Sequence, residues 1–261
     1  MNISLQHKYA LICGSTQGIG LAVAQEMAAS GANCILLARN EEKLQQAIRE
    51  LPVVGAQHHR YAVADFSDTA AVAQAAREIV ASSAVDILVN NTGGPKAGAI
   101  TEAETGAFEA AFRQHVVNNQ QLATAVLPGM KNSGYGRIIN IVSTSVKAPL
   151  PNLGVSNTIR AAVAAWAKTL ANEVGRYGVT VNNVLPGLTA TARLKSLIAD
   201  TAARSGQSTE EVAAGMKASV PLQRFGTAAE IAQLVVFLAS PAASYISGTS
   251  IPVDGGRTPA F

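Results

Sequence analysis

The chain is short of charge, of aromatics and of cysteine, and each shortage excludes something. Only 14% of its 261 residues are charged and the formal net charge is +3. With no basic block or stripe, a nucleic-acid partner is not expected. Aromatics make up 5%, so the elements are expected to pack closely through alanine and glycine. Cys13 and Cys34 are the two cysteines, and both lie in apolar stretches. Buried thiols in a reducing compartment are expected, and no disulfide framework. The four histidines (His7, His58, His59 and His115) show no ligand spacing with cysteine or carboxylates, so no metal site is expected. No run approaches the ~18 apolar residues of a membrane span, and the start lacks the apolar stretch of a signal peptide. The expectation is a cytoplasmic protein without a membrane partner.

What is present is a regular alternation. Hydrophobic residues are 48%, enough for a large core in one three-layer domain spanning residues 1–261. Short apolar runs at 9–13, 33–38, 59–64, 86–90, 137–142, 179–184 and 250–254 read as strands. Helical periodicity fills 18–29, 41–50, 69–81, 105–131, 155–175 and 228–239. Uninterrupted apolar strands separated by crossover-length helices predict an α/β fold: a doubly wound, parallel, seven-stranded sheet with helices on both faces. The helices at 105–131 and 155–175 are long. The second carries Val155, Ile159, Val163, Trp166, Leu170 and Val174 at helical spacing, which leaves another stripe free to face a subunit in a homo-oligomer.

The stretch CGSTQGIG at 13–20 follows the first strand and opens the first helix. Gly14, Gly18 and Gly20 permit a tight turn and close approach of backbone N–H groups to a pyrophosphate at the helix N-terminus. Ser15 and Ile19 belong to the same loop. The end of the second strand reads LLARNEEKL, with Ala38 where an acid would meet an adenosine ribose and Arg39 next. An arginine there accommodates a 2′-phosphate, so NADP(H) is the expected cofactor. Glu41 and Glu42 follow Asn40 as the acidic first turn of a capped helix and need no ligand.

In its motifs the chain resembles the short-chain dehydrogenase/reductase family over nearly its whole length. Gly14–Gly20 is similar to that family's TGxxxGxG, with Cys13 for the threonine. DILVNNTGG at 86–94, GRIINIVS at 136–143, VTVNNVLPG at 179–187 and SGTSIPVDGG at 247–256 are similar to further family segments in the same order. The resemblance implies a Rossmann-type fold, with Asp65 near the adenine and Asn90, Asn91 and Gly93 lining the cofactor side of the sheet. It also implies that Pro186, Gly187 and Thr191 close over the nicotinamide, and that the protein is a tetramer.

Catalysis in the family uses asparagine, serine, tyrosine and lysine. Ser143 stands seven places after Gly136, where the serine belongs, and thirteen further on the tyrosine position holds Ser156. The lysine position holds Arg160, and the asparagine position falls on His115, with Asn118 and Asn119 one turn later. A serine hydroxyl lacks both the acidity and the reach of a phenol, and a guanidinium is not an ammonium. Three functions therefore stand open. One is an NADP(H)-dependent oxidoreductase acting on a carbonyl or alcohol of a small to medium apolar body through an atypical proton relay of Ser143, Ser156, Arg160 and His115, the imidazole being expected to titrate near neutrality. A second is a non-catalytic NADP(H)-binding protein, a sensor or inactive subunit. The third is a non-redox reaction in the same pocket. Residues 188–226 are expected to cover the substrate and to offer few polar anchors.

Overall fold

The computed structural model describes residues 3–260. Its strands are β1 (Tyr9–Cys13), β2 (Asn33–Ala38), β3 (Arg60–Val63), β4 (Ile87–Asn90), β5 (Gly136–Ile141), β6 (Val179–Pro186) and β7 (Ser250–Val253). They form one sheet in the order β3-β2-β1-β4-β5-β6-β7, and every pairing is parallel. The helices are α1 (Gly18–Ala29), α2 (Glu41–Glu50), α3 (Thr69–Ser82), α4 (Thr105–Phe112), α5 (Asn118–Ser133), α6 (Gly154–Val174), α7 (Ala192–Ser205), α8 (Thr209–Ala218) and α9 (Ala228–Ala239).

The strands read as unbroken apolar runs because both sheet faces are covered. In β1, Ala10 and Ile12 enter one core with residues of α1, α2 and α9. Leu11 and Cys13 enter the other with residues of α3, α5 and α6, as the two-residue period of a strand requires. The edge strand β3 is only partly buried, which is why its apolar signal is weak. At the opposite edge β7 tolerates Pro252 because an edge residue needs no second ladder bond.

Two regions differ from expectation. The span 105–131 is two helices, α4 and α5, joined through Arg113–Val117, a widened turn of π type. Such turns recur at functional sites because the extra residue re-aims a side chain, and here that stretch carries His115. Residues 188–226, expected only as a covering segment, hold α7 and α8. Their signals are caps: Thr191 starts α7, and a reciprocal Ser208–Glu211 capping box starts α8, the S-x-x-E pattern that marks a helix start. The base of the segment is closed, with Gly226 N donating to Leu188 O at 2.9 Å and Ala190 N to Gly226 O at 2.8 Å.

In this order the chain reverses direction across the sheet at β1 and β4. The carboxyl ends of the strands there open a crevice, the general ligand position of doubly wound sheets. The glycine loop and the loops after β4, β5 and β6 all leave from that edge.

Candidate active site

The glycine loop is shaped by contacts that leave no room for a side chain. Gly14 has φ +58°, and a Cβ there would lie 2.7 Å from Asn91 O. A Cβ on Gly20 would lie 2.2 Å from Gly14 O. Asn91 Nδ2 donates to Cys13 O at 3.2 Å and to Gly14 O at 3.3 Å, so Asn91 ties the loop down from β4. Ser15 is fully buried, and its Oγ has no hydrogen-bond partner among the described residues. Gln17 caps α1 without a side-chain bond, and no acidic residue occupies the first turn. The N–H groups and positive dipole end of α1 are therefore free for an anion. Ile19 is half-buried against the core. Gly18 has φ +56°, and a Cβ there would sit 3.4 Å from Thr191 Cγ2, which brings the loop after β6 down on the glycine loop.

At the end of β2 the Arg39 side chain is 78% exposed, with Nη1 3.9 Å from Asp65 Oδ2. The Asp65 carboxyl is held below its ordinary range chiefly by the backbone and hydroxyl of Ser67, with Arg39 adding its charge. An exposed pair of this kind constrains little, so Arg39 can turn to another anion. Asn40 caps α2, accepting from Lys43 N at 2.8 Å, and Glu41 and Glu42 form its acidic first turn, with Glu41 accepting from Tyr61 Oη at 3.0 Å.

Four predicted catalytic positions lie around the ends of β4, β5 and α6. Ser143 is half-buried, and its Oγ accepts from Ser145 N at 3.1 Å. Ser156 is half-buried in the first turn of α6. One turn further, Arg160 is 9% exposed and its Nη1 donates to Ile141 O at 3.0 Å. Burial, and then the charge of Arg193, lowers its pKa to about 10. His115 is 2% exposed. It makes a hydrogen bond with the Gly93 backbone, and its Nε2 is buried without a partner among the described residues. Burial first, and then repulsion from Arg160, lowers the imidazole to about 3. The expectation that His115 titrates near neutrality is thus corrected: its surroundings favour the uncharged ring, and the Gly93 bond only partly opposes them.

His115, Gly93 and Arg160 are brought together, and Arg160 binds the carbonyl two residues before Ser143. Asn118 is not part of this group. Its Nδ2 donates to Phe66 O at 2.8 Å, inside the fold. Asn90, expected on the cofactor side, instead starts a buried ladder. Asn90 Nδ2 donates to Asn140 Oδ1 at 2.8 Å, Asn140 Nδ2 to Asn183 Oδ1 at 2.9 Å, and Asn183 Nδ2 to Ser250 Oγ at 3.0 Å. The ladder ties β4 to β7 directly beneath the site. After β6, Gly187 N donates to Val253 O at 3.0 Å. A Cβ at Gly187 would fall 2.6 Å from Asp254 Cβ, so the Pro186-Gly187 turn packs on the end of β7.

Sequence reasoning missed Arg193. From the start of α7 its Nη2 donates to Pro95 O at 2.8 Å, linking the 188–226 segment to the loop after β4. Its only sequence signal is its place two residues after Thr191. Among the described residues no group of histidine, cysteine and carboxylates could hold a metal. Among the described residues no helix is long and apolar enough to cross a membrane.

A family model described as enoyl-(acyl carrier protein) reductase matches residues 14–258. The 3-oxoacyl-(acyl-carrier-protein) reductase FabG of Haemophilus influenzae is 34% identical over 255 residues, 97% of this chain and 98% of that protein. The uncharacterized oxidoreductase YvrD of Bacillus subtilis is 34% identical over 260 residues, 98% of each. L-sorbose reductase of Gluconobacter frateurii, solved with NADPH and L-sorbose, is similar with a TM-score of 0.93 at 30% identity over 100% of both chains.

Proposed function

The chain belongs to the short-chain dehydrogenase/reductase family, and from that premise we propose that it is an NADP(H)-dependent oxidoreductase interconverting a carbonyl and an alcohol. The observation that carries this reading is the anion cradle at the start of α1. The buried Ser15 Oγ lacks a partner, the helix end is uncapped and free of acid, and backbone fills the space where Cβ atoms of Gly14 and Gly20 would stand. Gly14, Ser15, Gly18, Ile19 and Gly20 would receive the pyrophosphate, and Arg39 the 2′-phosphate. Asp65 would border the adenine, with Asn91 and Gly93 supporting the loops around the nicotinamide half. Pro186, Gly187 and Thr191 would close over it. When bound, the dinucleotide supplies or accepts the hydride.

The chain's own residues would then handle the oxygen. Ser143 can donate a hydrogen bond to the substrate carbonyl. The Arg160 cation, nearly desolvated, can stabilise the alkoxide as charge develops, because a preorganised charge acts strongly in a water-poor site. Its remaining N–H groups can also bind the nicotinamide ribose. Neutral His115 presents an unpartnered acceptor at Nε2, suited to holding a water. We therefore assign the proton to water, ordered by His115, Ser143 and Ser156, rather than to a side-chain acid. Segment 188–226 is the substrate cover in this reading.

The alternative of a cofactor-binding protein without catalysis is favoured by one observation: among these four residues none is a proton donor with a pKa near neutrality. Titrating NADPH and NADH by fluorescence and following NADPH oxidation with a ketone panel separates the two. Binding with turnover supports the oxidoreductase; tight binding with no turnover on any ketone favours the binding protein. The outer faces of α5 and α6 are the proposed contacts of a tetramer, and the two free, buried cysteines suit the reducing cytoplasm.

A further inference from the structure

Beside the proposed reaction centre lie two cations that have no carboxylate partner among the described residues. Arg160 reaches it from α6 and Arg193 from α7. The two guanidinium groups flank consecutive residues of the loop after β4: a Cβ on Gly94 would stand 3.4 Å from Arg160 Nη2, and Pro95 O accepts from Arg193 Nη2 at 2.8 Å. The ion pairs among the described residues are Lys8–Asp86, Arg39–Asp65 and Arg224–Glu230, and neither arginine takes part in any of them. Arg160 is nine-tenths buried, and among the described residues its hydrogen bond goes to a neutral carbonyl. A desolvated cation beside a like charge is unfavourable unless an anion completes the site. The other groups here do not supply one, since His115 is neutral and Ser143 and Ser156 are uncharged. The nicotinamide end of a dinucleotide is neutral or cationic, and its pyrophosphate belongs at the start of α1.

We propose that the substrate carries an anionic group, a carboxylate or a phosphate, close to its carbonyl or alcohol carbon, and that Arg193 determines this specificity by taking that group together with Arg160. The inference rests on the oxidoreductase reading above. A guanidinium presents parallel N–H donors that match the paired oxygens of either anion. Arg193 comes from the cover segment, so anion binding would also draw that segment toward the Gly94–Pro95 loop.

The test measures binding and turnover on the full-length protein. Wild type, Arg193→Gln and Arg193→Lys are titrated with NADPH by fluorescence. The NADP⁺-loaded proteins are then titrated calorimetrically with oxo acids of graded chain length and with their methyl esters. A hydroxyketone phosphate and the free hydroxyketone form the phosphate arm. Initial rates of NADPH oxidation are measured on the same pairs.

The charged member of one pair is expected to bind about tenfold to hundredfold more tightly, the worth of a charge-assisted hydrogen bond, with the preference appearing in KM. Arg193→Gln should erase it, Arg193→Lys should retain part of it, and NADPH affinity should be unchanged in both. Whichever arm shows the preference identifies the anion. If NADPH binds and ketones are reduced with no preference for any anion, this inference falls and the oxidoreductase reading stands. If Arg193→Gln weakens NADPH binding and leaves the preference intact, Arg193 is a dinucleotide clamp and the inference is wrong. If the wild type binds no NADPH, both readings fall together.

Discussion

Arg160 and His115 face each other closely enough that the guanidinium helps keep the imidazole uncharged, with a pKa of about 3. This pairing removes histidine as an acid near neutrality and leaves a buried acceptor and a nearly desolvated cation.

That pairing has a consequence for stability. The folded-state pKa of His115 lies at about 3 against an ordinary 6.5. Between those values the unfolded chain binds a proton that the folded chain refuses, so stability falls as pH drops through that window and is unaffected above it. His115→Asn should flatten this acid limb. Thermal unfolding of both proteins from pH 7 to pH 4, in steps, checks it. Parallel curves would count against a buried neutral histidine.

Arg39→Ala should weaken NADPH binding by about tenfold to hundredfold, the worth of a charge-assisted contact to phosphate, and leave NADH within about threefold. Fluorescence titration of both dinucleotides decides it. Equal affinity for the two in the wild type would overturn the assignment of Arg39 to the 2′-phosphate.

Gly20→Ala should abolish dinucleotide binding, because its Cβ would fall 2.2 Å from Gly14 O. Gly215→Ala is the contrasting control. It lies inside α8 with nothing within 4 Å of the added Cβ and should raise stability by about 0.5–1 kcal/mol through helix propensity. Equal behaviour of the two variants in binding and melting would contradict the role given to the loop.

Ser156→Tyr combined with Arg160→Lys should raise the reduction of a simple ketone by up to ~10²–10⁴, the contribution of a positioned general acid. If the double variant binds NADPH normally and reduces the ketone no faster, the missing phenol is not what limits the wild type.

Much of this was legible in the sequence because the fold's physics is local. Runs such as YALIC and NCILLA read as strands buried on both faces from their shortness and flanking turns, and the glycine loop, Arg39 and the Asn40 cap follow them in sequence. The site was less legible for a reason of distance. The neutrality of His115 depends on Arg160, forty-five positions away, and on a widened turn that no residue pattern announces. Arg193 gains its meaning from Pro95, ninety-eight positions away. Asn90 reads as a cofactor-side residue when β4 is taken without the asparagines of β5 and β6. Only the parallel register, pairing Asn90 with Asn140 and Asn140 with Asn183, turns them into a ladder. Helix α7 does carry an apolar stripe, with Leu194, Leu197, Ile198 and Ala202 at helical spacing, and the caps at Thr191 and Ser208 mark where α7 and α8 begin.

The central claim is that this chain moves a hydride between NADPH and a carbonyl, with Ser156 and Arg160 proposed beside the substrate. The most direct measurement is a single turnover with NADPH deuterated at the transferable position of the nicotinamide, using the ketone panel and mass analysis of the alcohol. The account expects deuterium on the carbinol carbon of a product formed in step with NADPH oxidation. Tight binding of NADPH with no deuterium transferred to any carbonyl would contradict it.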